Sequence, residues 1–218
     1  MNQEPTVPVW DLFVRVFHWL LVVAFCISYI TEGDPKWLHL ASGYSILALV
    51  LARILWGFFG SPHARFSDFV PTWRSLIAYL RALRRGEAEL YVGHNPAGGA
   101  MVVALLLSLL VTTGAGLVLL AAEEGEGPLS GWLIAAPSTG ALEELEYDSY
   151  DEESEPEHHE SALAEAAEEV HELFANLTLM LVAVHILGVV FESWRERQNL
   201  ARAMVTGRKR IPPKAPLR

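Results

Sequence analysis

Eight histidines stand at positions 18, 39, 63, 94, 158, 159, 171 and 185. Imidazole is the commonest metal-ligating side chain, and small changes in surroundings move its charge across neutral pH. His18, His39, His171 and His185 fall inside or at the edges of long apolar runs. One such histidine is an ordinary hydrogen-bonded packing residue; four suggest a pattern. His171 and His185 are 14 residues apart. On an α-helix, 14 steps return the second side chain to within about 40° of the first, about 21 Å along the axis. One face of one helix then offers imidazoles at two depths.

The elements that must position these side chains read as membrane spans. Four stretches, about 10–30, 37–59, 97–121 and 171–193, suit crossing some 30 Å of hydrocarbon as helix. The third contains no charged residue from Ala97 to Ala122. Trp10, Trp19, Trp37, Trp56 and Trp194 lie mostly near span ends, as an interfacial aromatic belt does. Span 1 lacks a basic n-region and a clear cleavage site, so it reads as a retained span rather than a signal peptide. The fold class predicted is an all-α, integral membrane four-helix bundle, a single domain over residues 1–218.

Charge sets the orientation. The 218 residues are 52% hydrophobic and 19% charged, with a net charge of −10. Residues 121–170 hold 16 acids and no Lys or Arg, so the remainder carries +6. Arg65, Arg74, Arg81, Arg84 and Arg85 lie between spans 2 and 3, and the tail at 195–218 is basic. Only Lys36 lies between spans 1 and 2, and spans 3 and 4 are joined without any Lys or Arg. The positive-inside rule then puts both termini and the 2–3 connection in the cytoplasm. The acidic 3–4 loop, 122–160, faces the periplasm. Residues 72–85 show arginines opposite apolar positions at helical spacing, as an interfacial helix on an anionic leaflet would. The basic tail would be drawn to the same leaflet.

With that orientation the histidines pair by depth: His18 with His185 in the inner half, His39 with His171 near the outer face. Two pairs of imidazoles on different helices suit axial ligation of two b-type haems. Gly43, Gly114, Gly116 and Gly188 leave space around them. Arg15, one turn from His18, and Arg53, 14 residues after His39, are candidate partners for haem propionates. Arg53 could equally form a polar wall of a quinone pocket or snorkel to the interface. His94 and Asn95, beside Pro96 at a helix start, suit a quinone headgroup or a propionate near the inner haem, or simply a helix cap. The single cysteine, Cys26, excludes an intrachain disulfide and the C-x-x-C-H of covalently attached haem. No stretch forms a basic nucleic-acid face.

Several motifs resemble the bacterial cytochrome b561 family, including cytochrome b subunits of nickel–iron hydrogenases. They are VWDLFVRVFHW (Val9–Trp19), HLASGY (His39–Tyr44), ARILWGFFGS (Ala52–Ser61), GHNPAGG (Gly93–Gly99) and NLARAMVTGRKR (Asn199–Arg210), together with the His171/His185 spacing. The resemblance covers nearly all of the chain except the acidic loop. It implies a four-helix bundle with two haems b, His18 and His185 matching the inner ligands and His39 and His171 the outer ones. It also implies electron transfer across the bacterial inner membrane. The expected partners are membrane quinone and either a periplasmic carrier such as a c-type cytochrome or an outward-facing oxidoreductase subunit. Direction of flow is left open.

Two other classes compete. A metal-ion transporter using the same histidines predicts carboxylates at mid-depth in the spans, and none stands there. A structural membrane anchor for a peripheral enzyme needs no ligands at all. The acidic loop departs from the family. Glu143–Glu160 is too charged to build a core and is predicted to be disordered, a dock for a basic carrier or a solvated connection. His158 and His159 among its carboxylates offer at most a weak metal site. From Ser161 the helical propensity is high, so span 4 is predicted to extend outward as one helix.

Overall fold

The computed structural model describes residues 6–135 and 162–210, and the acidic core 143–160 lies outside them. Four helices among the described residues are long and apolar enough to cross a membrane: α1 (Leu12–Thr31), α2 (Lys36–Phe59), α5 (Pro96–Glu124) and α7 (Ala162–Arg195). Each lies within a residue or two of a predicted span except where it runs on: α5 reaches Glu124, and α7 starts at Ala162, well before the span. The alanine- and glutamate-rich run after Ser161 therefore extends the fourth span as predicted. Many large apolar side chains of these helices are exposed, among them Leu20, Val23, Leu55, Leu187 and Val190. That is the inverse of a water-soluble bundle and suits a hydrocarbon solvent, in which helices satisfy their own backbone groups.

The connection between α2 and α5 carries a 3₁₀ turn at Pro62–Ala64, then α3 (Phe66–Phe69) and α4 (Trp73–Arg85). The remaining elements are α6 (Ser130–Ala135), α8 (Leu200–Thr206) and two short strands, β1 (Thr6–Pro8) and β2 (Arg208–Arg210). Local chemistry sets the ends. Asp11 caps α1 by accepting from the Val14 N–H at 2.7 Å. Thr72 caps α4, and Gly86 closes it with φ of +74°, a conformation natural to glycine. Pro96 opens α5, and Asn95 Oδ1 accepts from the Gly98 N–H at 2.7 Å.

The chain divides into two compact units, residues 1–110 with 175–218, and residues 111–174. The first unit has a core of Phe17 and Ala24 from α1, Ile46 and Val50 from α2, and Leu106 and Leu109 from α5. Polar pairs tie α7 to its neighbours there: Ser108 Oγ to Thr178 Oγ1 at 2.7 Å, and the Tyr29 hydroxyl donating to Asn176 at 3.2 Å. β1 and β2 pair antiparallel, Val7 opposite Lys209, so the two ends of the described chain meet. One residue of the basic tail, Lys209, is not free for the expected leaflet contact. Lys209 is 5% exposed. Its ammonium lies 3.3 Å from Glu196 and donates to the Tyr91 carbonyl at 3.0 Å. The pairing turns the chain back on itself and draws one tail cation inward. In the second unit the buried residues include Leu120 and Ala121 of α5 and Ala164 and Ala167 of α7.

Candidate haem and quinone site

His18 on α1 and His185 on α7 face one another in the first unit, with ring centres 6.5 Å apart and planes tilted by 54°. A metal held between two imidazoles by bonds of about 2 Å, with ring centres about 1 Å further out, would need those centres about 6 to 6.5 Å apart. The ring-centre separation of this pair meets that distance. His18 Nδ1 is also buried without a hydrogen-bond partner, a costly state for an imidazole nitrogen. Trp19 sets its edge against His18 at 5.0 Å.

Among the described residues, the buried side-chain polar atoms without a hydrogen-bond partner are Arg15 Nε, His18 Nδ1, Arg53 Nη1 and His94 Nδ1. All four residues belong to the predicted site. Arg15 uses one terminal nitrogen to donate to the Val205 carbonyl at 2.9 Å. Arg53 is 2% exposed, and its guanidinium lies 5.6 Å from the Phe66 ring and 5.5 Å from that of Phe69. Those aromatic faces stabilise the cation where water does not reach it. His94 is held between Trp10 and Phe69, at ring distances of 4.6 and 4.7 Å. Burial, then the positive field of Arg53 and Lys209 with smaller effects from His63 and His185, lowers its pKa to about 3. It therefore stays neutral at physiological pH and keeps one donor and one acceptor nitrogen.

Several residues that build this cluster were not singled out by sequence reasoning. Asp11 accepts from Trp56 Nε1 at 2.9 Å and from the Ser61 hydroxyl at 2.6 Å, joining the start of α1 to the end of α2. Burial alone would raise its pKa. Hydrogen bonds from Ser61, Val14 and Trp56 and the field of Arg53 outweigh it and hold the carboxyl below the usual carboxylate range. Gly57 and Gly99 admit the aromatic wall: a Cβ at Gly57 would run into the Phe66 ring, and one at Gly99 into the Phe69 carbonyl. The capping position of Asp11, just before an apolar run, was a signal for it in the sequence. His63 is engaged elsewhere: its Nδ1 meets Asp68 at 3.1 Å near the surface.

Asn95 has two partners. Besides capping α5 it donates Nδ2 to Glu192 Oε1 at 3.1 Å, and Arg195 pairs with the same carboxylate. Its place is in a buried network that fixes the loop carrying His94.

The outer histidines belong to different units and are held alike. His39 Nδ1 lies 3.0 Å from the Ser28 carbonyl in the first unit. His171 Nδ1 lies 2.9 Å from the Thr112 carbonyl in the second. A carbonyl can only accept, so each Nδ1 carries the proton and Nε2 the lone pair, the arrangement metal-ligating histidines use. A Cβ on Gly116 would come within 3.0 Å of the His171 ring, so that glycine makes room for the imidazole. Gly43, Gly114 and Gly188 border open space.

Comparison with known proteins gives the family. A family described as prokaryotic cytochrome b561 matches residues 9–207. A protein of Bradyrhizobium diazoefficiens named "Probable Ni/Fe-hydrogenase B-type cytochrome subunit" is 26% identical, over 95% of this chain and 87% of its own. One of the same name from Rhodobacter capsulatus is 23% identical, over 96% and 83% respectively. A "Probable Ni/Fe-hydrogenase 1 B-type cytochrome subunit" of Escherichia coli O157:H7 is 28% identical over 49% of this chain and 57% of its own. Four apolar helices, histidines in those helices and a family match along most of the sequence lead to one conclusion: this multi-pass membrane chain belongs to the prokaryotic cytochrome b561 family of b-type, electron-transferring cytochromes.

Proposed function

We propose that the chain is a di-haem cytochrome b of the bacterial inner membrane, carrying electrons between the quinone pool and a periplasmic redox partner. Bound haem b supplies reversible one-electron chemistry at iron. His18 and His185 hold the inner iron. His39 and His171 hold the outer one, a pairing that rests on their matched depth in the sequence and on the resemblance. Arg15 and Arg53 serve the inner haem's propionates. Arg53 and His94 also present hydrogen-bonding groups to a quinone headgroup, and Asn95 positions the His94 loop through Glu192. The observation that carries this reading is the coincidence of the buried, unpartnered polar atoms with Arg15, His18, Arg53 and His94. Buried donors and acceptors are rarely left unmade unless a ligand or a chemical task takes them.

The partner side is read from charge and from relatives. Relatives named as Ni/Fe-hydrogenase subunits favour an outward-facing oxidoreductase as partner. The carboxylates of 143–160 favour a basic docking surface on it, or a basic c-type cytochrome, through association rate more than tight affinity. Purified protein should show bis-histidine, low-spin b-type bands and close to two haems per chain by pyridine haemochrome assay. Quinol should reduce them, and His94→Gln should slow that reduction at normal haem content. A preparation without such bands overturns the cytochrome reading. Full haem content with no response to quinol overturns the quinone assignment alone.

A further inference from the structure

α4 is short, amphipathic and outside the spans. Its buried face is narrow. Tyr79 is 6% exposed, and its ring meets that of Tyr91 at 5.9 Å. Burial, with the negative field of Glu192, raises the Tyr79 pKa to about 12, so the hydroxyl stays protonated. Leu76 and Leu83 lie within about 60° of Tyr79 around the helix and are half-buried. Ile77 and Ala82 are half-buried as well, and the other positions of the helix are exposed. Trp73 is 75% exposed and Leu80 39%. Arg74, Arg81, Arg84 and Arg85 are exposed, and among the described residues none of them is ion-paired. At 100° per residue, Arg74, Arg81 and Arg85 fall within about 40° of one another, and Trp73, Leu80 and Arg84 form the next stripe.

The level of α4 is set by what holds the segment that follows it. Arg195, the last residue of α7, donates to the Ala88 and Glu89 carbonyls at 3.0 and 3.4 Å. Lys209 donates to the Tyr91 carbonyl. The helix is thereby held beside the end of a membrane span, where hydrocarbon gives way to water. An apolar shoulder with an exposed tryptophan, bordered by arginines, at that level has the chemistry of an interfacial helix.

We propose that α4 is a docking surface for anionic phospholipid headgroups, with Arg74, Arg81 and Arg85 on the phosphates and Trp73 and Leu80 at the headgroup–acyl boundary. An acidic protein would meet the arginines but would leave Trp73 and Leu80 without an apolar layer. A bilayer supplies both. Each arginine near an anionic surface is worth about fivefold in association. A triple substitution should therefore weaken the preference for anionic lipid by at least about tenfold.

The test uses full-length, haem-loaded protein in a mild detergent, titrated with phosphatidylglycerol or phosphatidylcholine while the unfolding temperature is followed. Wild type should be stabilised at lower concentrations of phosphatidylglycerol than of phosphatidylcholine, and salt should shrink the difference. R74Q/R81Q/R85Q should lose most of the difference, and R65Q/R197Q/R202Q, which removes as much charge elsewhere, should lose clearly less. Equal response of wild type to both lipids overturns the proposal, as does equal loss in both triple variants. If the α4 variant does not fold, wild type and W73F are compared in vesicles of brominated phosphatidylglycerol and brominated phosphatidylcholine. Quenching that W73F lacks should be stronger with phosphatidylglycerol. Quenching that is the same in W73F and wild type overturns the proposal.

Discussion

His39 and His171 each give their Nδ1 proton to a backbone carbonyl, of Ser28 and Thr112, whereas His18 Nδ1 is buried with no partner and His185 faces it from α7. Around the outer histidines the fixing groups are main-chain atoms, which carry no charge and do not titrate. Toward the inner pair the unmatched buried atoms belong to side chains, of Arg15, Arg53 and His94, and Asp11 lies close to Arg53. The contrast separates two tasks. Backbone carbonyls orient an imidazole and fix its tautomer, as they do for metal-ligating histidines. Buried cations and a neutral histidine do more: they set the local potential and can meet a second molecule.

The largest expected effect breaks the comparison at its ligands. His18→Ala and His185→Ala should each abolish the same spectral and redox component and leave about half the haem of wild type. His39→Ala and His171→Ala should each abolish the other. Redox titration followed in the visible band checks this, and loss of one component by both His18→Ala and His171→Ala would show the pairing to be wrong.

A smaller effect sharpens the outer end. Gly116→Val should crowd His171, and overpacking of this kind costs about 1 to 3 kcal/mol, or roughly five- to a hundredfold in an equilibrium. Occupancy of the outer component should fall while the inner one stays full. Gly114→Ala, where a Cβ meets nothing, should leave both components unchanged.

At the inner end, Arg53→Gln removes a buried positive charge and should lower the midpoint of the inner component alone. A shift of a few tens of millivolts corresponds to a few-fold in the one-electron equilibrium, at about 59 mV per tenfold. Equal movement of both components would place the field of Arg53 nearer the middle of the chain's redox path than its contacts with Phe66 and Phe69 suggest.

The smallest effect is one of pH. His94 has a folded-state pKa lowered to about 3 by burial and by nearby positive charge, against 6.5 ordinarily. Between those values the unfolded chain binds a proton that the folded chain does not. Stability should therefore rise with pH up to about 6.5 and be lost as pH falls below it, by at most about 1.4 kcal/mol per pH unit from this residue. Comparing unfolding temperatures at pH 7.5 and 5.5, wild type should lose a few degrees more than His94→Gln. Identical losses would mean that His94 becomes protonated without unfolding the loop.

The sequence by itself determined the four spans, the extension of the fourth helix, the amphipathic run at 73–85 and the residues of the inner cluster. Apolar length, charge bias and helical period are local properties, and hydrocarbon enforces them span by span. It did not show which polar atoms would be matched. Asn95 reads as a pocket donor or a helix cap beside Pro96; it caps α5, and Glu192, 97 residues away, accepts a hydrogen bond from its amide. Lys209 reads as part of a basic tail for the leaflet, yet strand pairing with Val7 turns it inward to Glu196. Asp11 reads as a cap and also joins Trp56 and Ser61. Whether a buried donor finds an acceptor depends on chain segments far apart in sequence arriving within about 3 Å, and only packing decides that. The inner pocket owes its character to this: the folded chain satisfies Asn95 and Asp11 and leaves atoms of Arg15, His18, Arg53 and His94 unmatched.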